Sequence, residues 1–130
     1  MKAAWNVFVA CIGLVLWTGF LLAHHSFDAE YDRTKTVVIK GTVTKLEWTN
    51  PHTRFYVDVK DDKGRVNNWN MELGSPNALV RAGWTRKSLK IGDEVTVTAS
   101  LAKDGSKMAN ARKIILADGR EVFGASSAGP

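Results

Sequence analysis

The stretch "VVIKGTVTKLEWTNPH", Val37 to His52, decides the fold. Val37, Ile39, Gly41 and Val43 alternate with Val38, Lys40, Thr42 and Thr44. That is a hydrophobic period of two, the period of a strand. Leu46 and Trp48 then continue on the even positions, so the phase slips. A long strand with a central glycine and a phase slip is expected to be bent or bulged. Thr49-Asn50-Pro51-His52 closes it with a turn.

The same period continues downstream. Phe55, Val57 and Val59 alternate with Arg54, Tyr56, Asp58 and Lys60. Asp61-Asp62-Lys63-Gly64 is a hairpin turn, and Trp69, Met71 and Leu73 mark a third strand. Ser75 then caps a short helix with Pro76 in its first turn, and Gly83 stops it. A second short turn is capped by Thr85. Val95, Val97 and Ala99 define a fourth strand, and residues 103–106 turn the chain. A fifth strand is expected from Ala111 to Leu116, with an Asp118-Gly119 hairpin and a short edge at 121–123. Three strands, a short helix and two strands predict an all-β fold with one short helix. The expected form is a small five-stranded OB-like Greek-key barrel, preceded by an N-terminal signal helix.

Upstream, Met1-Lys2 is a positive start and Val7–Ala23 is almost wholly apolar. This is the pattern of a secretory signal, with small Ala23 before the cleavage point. The rival is an uncleaved anchor, because the run nearly suffices to cross a bilayer. The expected organisation is a signal peptide or anchor over 1–23 and an N-terminal segment over 24–35. The barrel then spans 36–123, and a disordered tail follows over 124–130. Cleavage gives a periplasmic or secreted protein, and retention gives an inner-membrane anchor facing the periplasm. Membrane contact is expected only with retention.

Composition narrows the function. At 130 residues, 45% apolar and 24% charged, the chain fits one globular domain plus a targeting segment. The formal charge of +5 is mild and the charges are interleaved, which argues against a nucleic-acid arm. The single cysteine, Cys11, lies in the apolar run, so the body has no disulfide and no thiolate site. No nucleophile elbow and no glycine-rich phosphate loop occurs, and Ser75 is explained as a cap. Nothing here points to hydrolytic or nucleophilic catalysis, and an enzymatic role would need a bound redox metal.

"HHSFDAEYD", "GTVTKLEWTNPH", "ELGSPNALVRAGWT" and "LKIGDEVTV" occur in this order. Together they resemble a bacterial family of exported proteins of unknown function. Its members begin the mature region with HHSF and carry WTNPH and GSPN segments. The resemblance runs from His24 to about Phe123 and implies export and a small barrel-like domain, but no activity. Thr53-Arg54 is more polar than that family pattern leads one to expect.

The chemistry concentrates in three histidines, His24, His25 and His52. Cleavage after Ala23 gives His24 a free α-amine, which chelates a metal together with its imidazole. A second imidazole, from His52 in the strand-linking turn or from His25, completes a nitrogen set suited to Cu(II). Asp28, Glu30 and Asp32 are candidates for an added oxygen ligand or for orienting an imidazole. Carboxylate involvement makes zinc the second choice of metal. A metal-free protein is equally open at this point. In that case Trp48, Arg54 and Tyr56 would form a ligand face on strands two and three, with Asn68 and Asn70 alongside. Such a face suits an envelope saccharide, polymer or protein better than nucleic acid. Trp69 and Trp84 are expected in the core or at its edge. Arg81, Arg86, Lys87 and Lys90 are expected on a solvated face.

Overall fold

The computed structural model describes residues 27–126. The signal or anchor segment, Cys11, His24, His25 and the last four residues of the tail lie outside the described residues. Among the described residues, no helix is long and apolar enough to cross a membrane.

A helical turn at 27–30 leads into β1, Tyr31–Glu47. It is followed by β2, Arg54–Lys60, and β3, Val66–Glu72. A short helix α1, Pro76–Arg81, precedes β4, Glu94–Ala102. Strand β5, Met108–Ile115, and the three-residue β6, Glu121–Phe123, complete the chain. Antiparallel pairing joins β1 to β2 and β4, β2 to β3, and β4 to β5. A short parallel pairing of β3 with β5 closes these five strands into a barrel, and β6 adds to the free side of β5. The five-stranded OB-like barrel expected from the sequence is the fold observed.

The bend in β1 has two sources. The β1–β2 register shifts between Val43 and Lys45, which makes Thr44 the extra residue and reproduces the slip in the sequence. At Gly41 the backbone of β2 comes so close that a Cβ would overlap the Asp58 carbonyl oxygen and the Val57 side chain. Only glycine lets β1 cross there. Behind it the alternating residues meet in one core, with Phe55, Val57, Met71, Leu79, Val97 and Ile114 fully buried. Each such side chain contributes about 1.5–3 kcal/mol on leaving water.

Local signals in the sequence become caps and turns. Ser75 Oγ accepts the Ala78 amide at 3.2 Å with Pro76 at the helix start. Gly83, at φ 92°, ends the helix, and Trp84 is buried just beyond it. Its indole Nε1 donates to the Phe123 carbonyl at 2.9 Å, which ties the helix end to β6. Asp61 accepts the Lys63 and Arg65 amides, both at 2.9 Å, and thereby shapes the β2–β3 hairpin.

Three boundaries differ from the sequence reading. Strand β1 starts at Tyr31, inside the segment set apart as 24–35, because Tyr31 pairs with Ala102 ahead of a register jump. The polar run 32–35 in that jump hides the strand from any alternation test. Strand β5 starts at Met108 rather than Ala111, since the parallel pairing with β3 recruits Met108, Ala109 and Asn110. The tail is packed at its start. The Gly124 carbonyl accepts the Gly74 amide at 2.7 Å, and its own amide donates to Arg112 at 2.8 Å. Gly124 thus sits between the end of β3 and β5, where a Cβ would overlap the Ala111 carbonyl oxygen.

Candidate functional site

The β1–β2 turn delivers His52 to one end of the barrel. Its exit is fixed by the next residue. The Thr53 amide donates to Gly74 at 3.0 Å, its carbonyl accepts the Leu73 amide at 2.9 Å, and Thr53 is fully buried. The Asn50–Pro51 peptide ahead of it is cis. His52 itself keeps 44% of its side chain exposed.

Register then places a charged pair beside it. Arg54 opens β2 directly across from Glu72, the last residue of β3. Arg54 Nη2 donates to Glu72 Oε2 at 2.5 Å, and the Glu72 side chain is 6% exposed. A carboxylate so buried needs such a partner to remain charged. The other oxygen, Oε1, lies 3.4 Å from His52 Nδ1, within charge attraction but long for a hydrogen bond. Arg54 Nη1 also donates to Asn70 Oδ1 at 3.3 Å and approaches Met108 Sδ at 3.5 Å.

Tyr31 reaches the same carboxylate from β1. It is 1% exposed, and its hydroxyl has no aligned hydrogen bond among the described residues. Burial pushes its phenol well above the ordinary tyrosine range, and the neighbouring Glu72 charge adds to that. Phe27 stacks at a tilt on Tyr31, ring centroids 5.3 Å apart. Phe27, Tyr31, Glu72 and His52 thus form a continuous line of contacts from the N-terminal side of the chain to the turn.

The other residues singled out by sequence fall in different places. Asp28 pairs with Arg33 at 2.6 Å. Asp32 accepts both the Thr34 hydroxyl, at 2.6 Å, and the Thr34 amide, at 2.9 Å, and these hold its carboxyl below the usual range. Glu30 is exposed and its carbonyl accepts the Lys103 amide at 2.9 Å. Trp48 packs partly buried on the core, with the Arg86 guanidinium 5.8 Å from its ring. Trp69 also packs partly buried on that core.

Tyr56 does point outward on β2, opposite Asn70. Its hydroxyl donates to Glu47 Oε2 at 3.0 Å, and Lys45 sits 5.1 Å from the ring centroid. Partial burial and the Glu47 carboxylate raise its phenol, while Lys45 followed by Tyr56 lowers the Glu47 carboxyl. Asn68 donates to Asp58 at 2.7 Å and to Thr44 at 3.1 Å. The polar groups of this face are therefore largely satisfied by one another.

Among the described residues, no group of three or more His, Cys, Asp or Glu side chains is arranged to hold a metal ion. His52 and Glu72 supply at most part of a coordination set. Glu72 and Tyr31 were not singled out from the sequence. The signal for Glu72 was the hairpin, since pairing Lys60 with Val66 runs on to pair Arg54 with Glu72.

A family model described as a family of unknown function, DUF6152, matches residues 13–111. The chain belongs to that family. No curated protein matches it. Among solved structures, a crystal form of the mitochondrial single-stranded DNA binding protein Rim1 from S. cerevisiae is similar, with a TM-score of 0.50 and 14% identity. That match covers 63% of this chain and 92% of the yeast chain. A second crystal form of the same protein gives a TM-score of 0.44 at 15% identity, over 63% and 91%. At such identity the likeness of the DUF6152 chain to the first form bears on fold alone.

Proposed function

We propose that this is an exported binding protein of the periplasm that takes up a transition metal, copper in first place, at the His52 end of the barrel. The observation that carries this reading is the 3.4 Å approach of His52 Nδ1 to the buried Glu72 carboxylate. A ligating histidine commonly directs one ring nitrogen at a carboxylate, which frees the other for the metal. Here that leaves Nε2 of a partly exposed imidazole as the ligand atom. In this reading Glu72 takes the orienting role first considered for Asp28, Glu30 and Asp32. The Asp28 carboxylate is paired with Arg33, that of Asp32 accepts from Thr34, and Glu30 lies exposed.

The other ligands would come from His24, through its α-amine and imidazole after cleavage behind Ala23, and His25 competes with His52 to supply the second imidazole. The line from Phe27 through Tyr31 to Glu72 supports this. Two residues separate His24 from Phe27, so three chain steps give a reach of at most about 10 Å. Amine and imidazole nitrogens suit Cu(II) over zinc. The protein binds or carries the metal and needs no further catalytic group.

The intact mass and N-terminal sequence of the exported protein test the premise. A mature chain starting at His24 is expected, and any other start removes the chelating amine. Equilibrium dialysis against Cu(II) or Zn(II) then tests the site, with His52→Ala expected to lose bound metal.

The second reading is a metal-free envelope module that grips a saccharide, polymer or protein through Tyr56, Arg54 and Trp48. The outward Tyr56 ring favours it. The mutual pairing of Tyr56, Asn68, Asp58 and Glu47 weighs against it, because a ligand would have to displace those bonds. Tyr56→Ala separates the two, since it leaves metal uptake intact.

A further inference from the structure

Ser100, Asn110 and Glu72 alternate along their strands with core residues Ala99, Ala109 and Met71. Their side chains therefore leave the outer wall of the barrel. They are nonetheless only 0%, 2% and 4% exposed. They form one stripe across three strands, since Ser100 pairs with Asn110 and Asn110 with Glu72.

The N-terminal segment of the described chain lies over that stripe. Phe27 and Tyr31 form a separate small cluster with Ala102, and Met108 packs at its edge. Ala102 and Met108 are each two residues from Ser100 and Asn110, on the same face of β4 and β5. The segment is fastened at its rim by the Lys103 amide on the Glu30 carbonyl and by the Lys103 ammonium on the Asp28 carbonyl. The Arg33 guanidinium stands 4.5 Å from the Phe27 ring centroid.

This cover is thin, and its underside is badly matched. The Ser100 hydroxyl and the Asn110 amide oxygen are buried without a hydrogen-bond partner among the described residues, and the Tyr31 hydroxyl faces the Glu72 carboxylate without an aligned bond. Partnerless polar groups oppose burial, and they oppose it only while the segment is docked. Phe27 and Tyr31 belong to a cluster separate from the main core.

We propose that residues 27–31 are a strap that lifts as a unit from the folded barrel and uncovers a polar stripe of Ser100, Asn110 and Glu72. Because Arg54 balances Glu72, the uncovered stripe offers hydrogen-bonding groups with little net charge. The inference stands without any metal at His52.

Amide hydrogen exchange on the purified exported protein tests it. The Lys103 amide reports the strap, and the Val97 amide in the middle of β4 reports the barrel. Subglobal opening exchanges Lys103 at least about tenfold faster than Val97. Phe27→Ala is expected to raise the Lys103 rate by a further factor of about ten or more, with Val97 unchanged. Ser100→Ala removes a partnerless hydroxyl and is expected to slow Lys103. Equal rates at the two amides, or equal acceleration of both by Phe27→Ala, would make the strap part of the barrel's own unfolding unit and overturn the proposal. A Lys103 rate that is unchanged or faster in Ser100→Ala overturns it too, by removing the mismatch said to drive opening.

Discussion

Arg54 and Glu72 meet across the β2–β3 ladder with Nη2 and Oε2 2.5 Å apart, at the point where His52 and Tyr31 also converge. The carboxylate is nearly inaccessible, while the arginine is 28% exposed. The two partners are therefore not equivalent. Removing the arginine strands a buried charge, whereas neutralising the glutamate leaves a hydrogen-bonding group in place.

Arg54→Met is expected to destabilise the protein by about 2–4 kcal/mol. Glu72→Gln should cost less, about 1 kcal/mol. Urea unfolding of both variants measures this. A larger loss in Glu72→Gln than in Arg54→Met would contradict the assigned asymmetry.

Glu72→Gln has a second consequence if Glu72 orients the imidazole. Metal affinity at His52 is expected to fall about 10–100-fold, the usual effect of removing an orienting partner. Competition against a chelator of known affinity reads this directly. An unchanged affinity would leave Glu72 as a structural residue only.

Gly41→Ala should cost about 1–3 kcal/mol, because the added methyl meets the Asp58 backbone rather than a movable side chain. Thermal or urea unfolding is the measurement. A neutral substitution would mean that β1 and β2 can separate at the bend.

The β2–β3 hairpin carries a pH signature. Hydrogen bonds from the Arg65 and Lys63 amides and the Arg65 guanidinium lower the Asp61 carboxyl in the folded state. A depressed carboxyl contributes stability above its unfolded value, and that contribution is lost as pH falls through the lower folded value. Asp61→Asn should therefore be less stable than the parent near neutral pH. The gap should close as the medium is acidified below the ordinary aspartate range. Parallel stability curves across that range would contradict the assignment.

The fold was legible because its devices are local. The slip after Val43 foretold the bulge, Gly41 marked the strand crossing, and Ser75-Pro76 foretold the helix. Tyr31 and Met108 escaped because pairing with distant strands, rather than their own neighbours, makes them part of β1 and β5. The site was half legible. His52 stood out by residue type and by its place in the turn. Glu72 reads as an outward glutamate until Arg54 and Tyr31 are seen against it, and its burial is a tertiary fact with no local mark. Asp28 and Asp32 were attractive for their nearness in sequence to His24, yet their carboxylates are occupied by Arg33 and Thr34.

The most direct test of the central claim is the electron paramagnetic resonance spectrum of Cu(II) bound to exported protein verified to begin at His24. Coupling to three nitrogens is expected, from the α-amine, the His24 imidazole and the His52 imidazole. His52→Ala should lose one of them, and Tyr56→Ala should keep all three. A spectrum unchanged by His52→Ala would contradict a metal site at this end of the barrel.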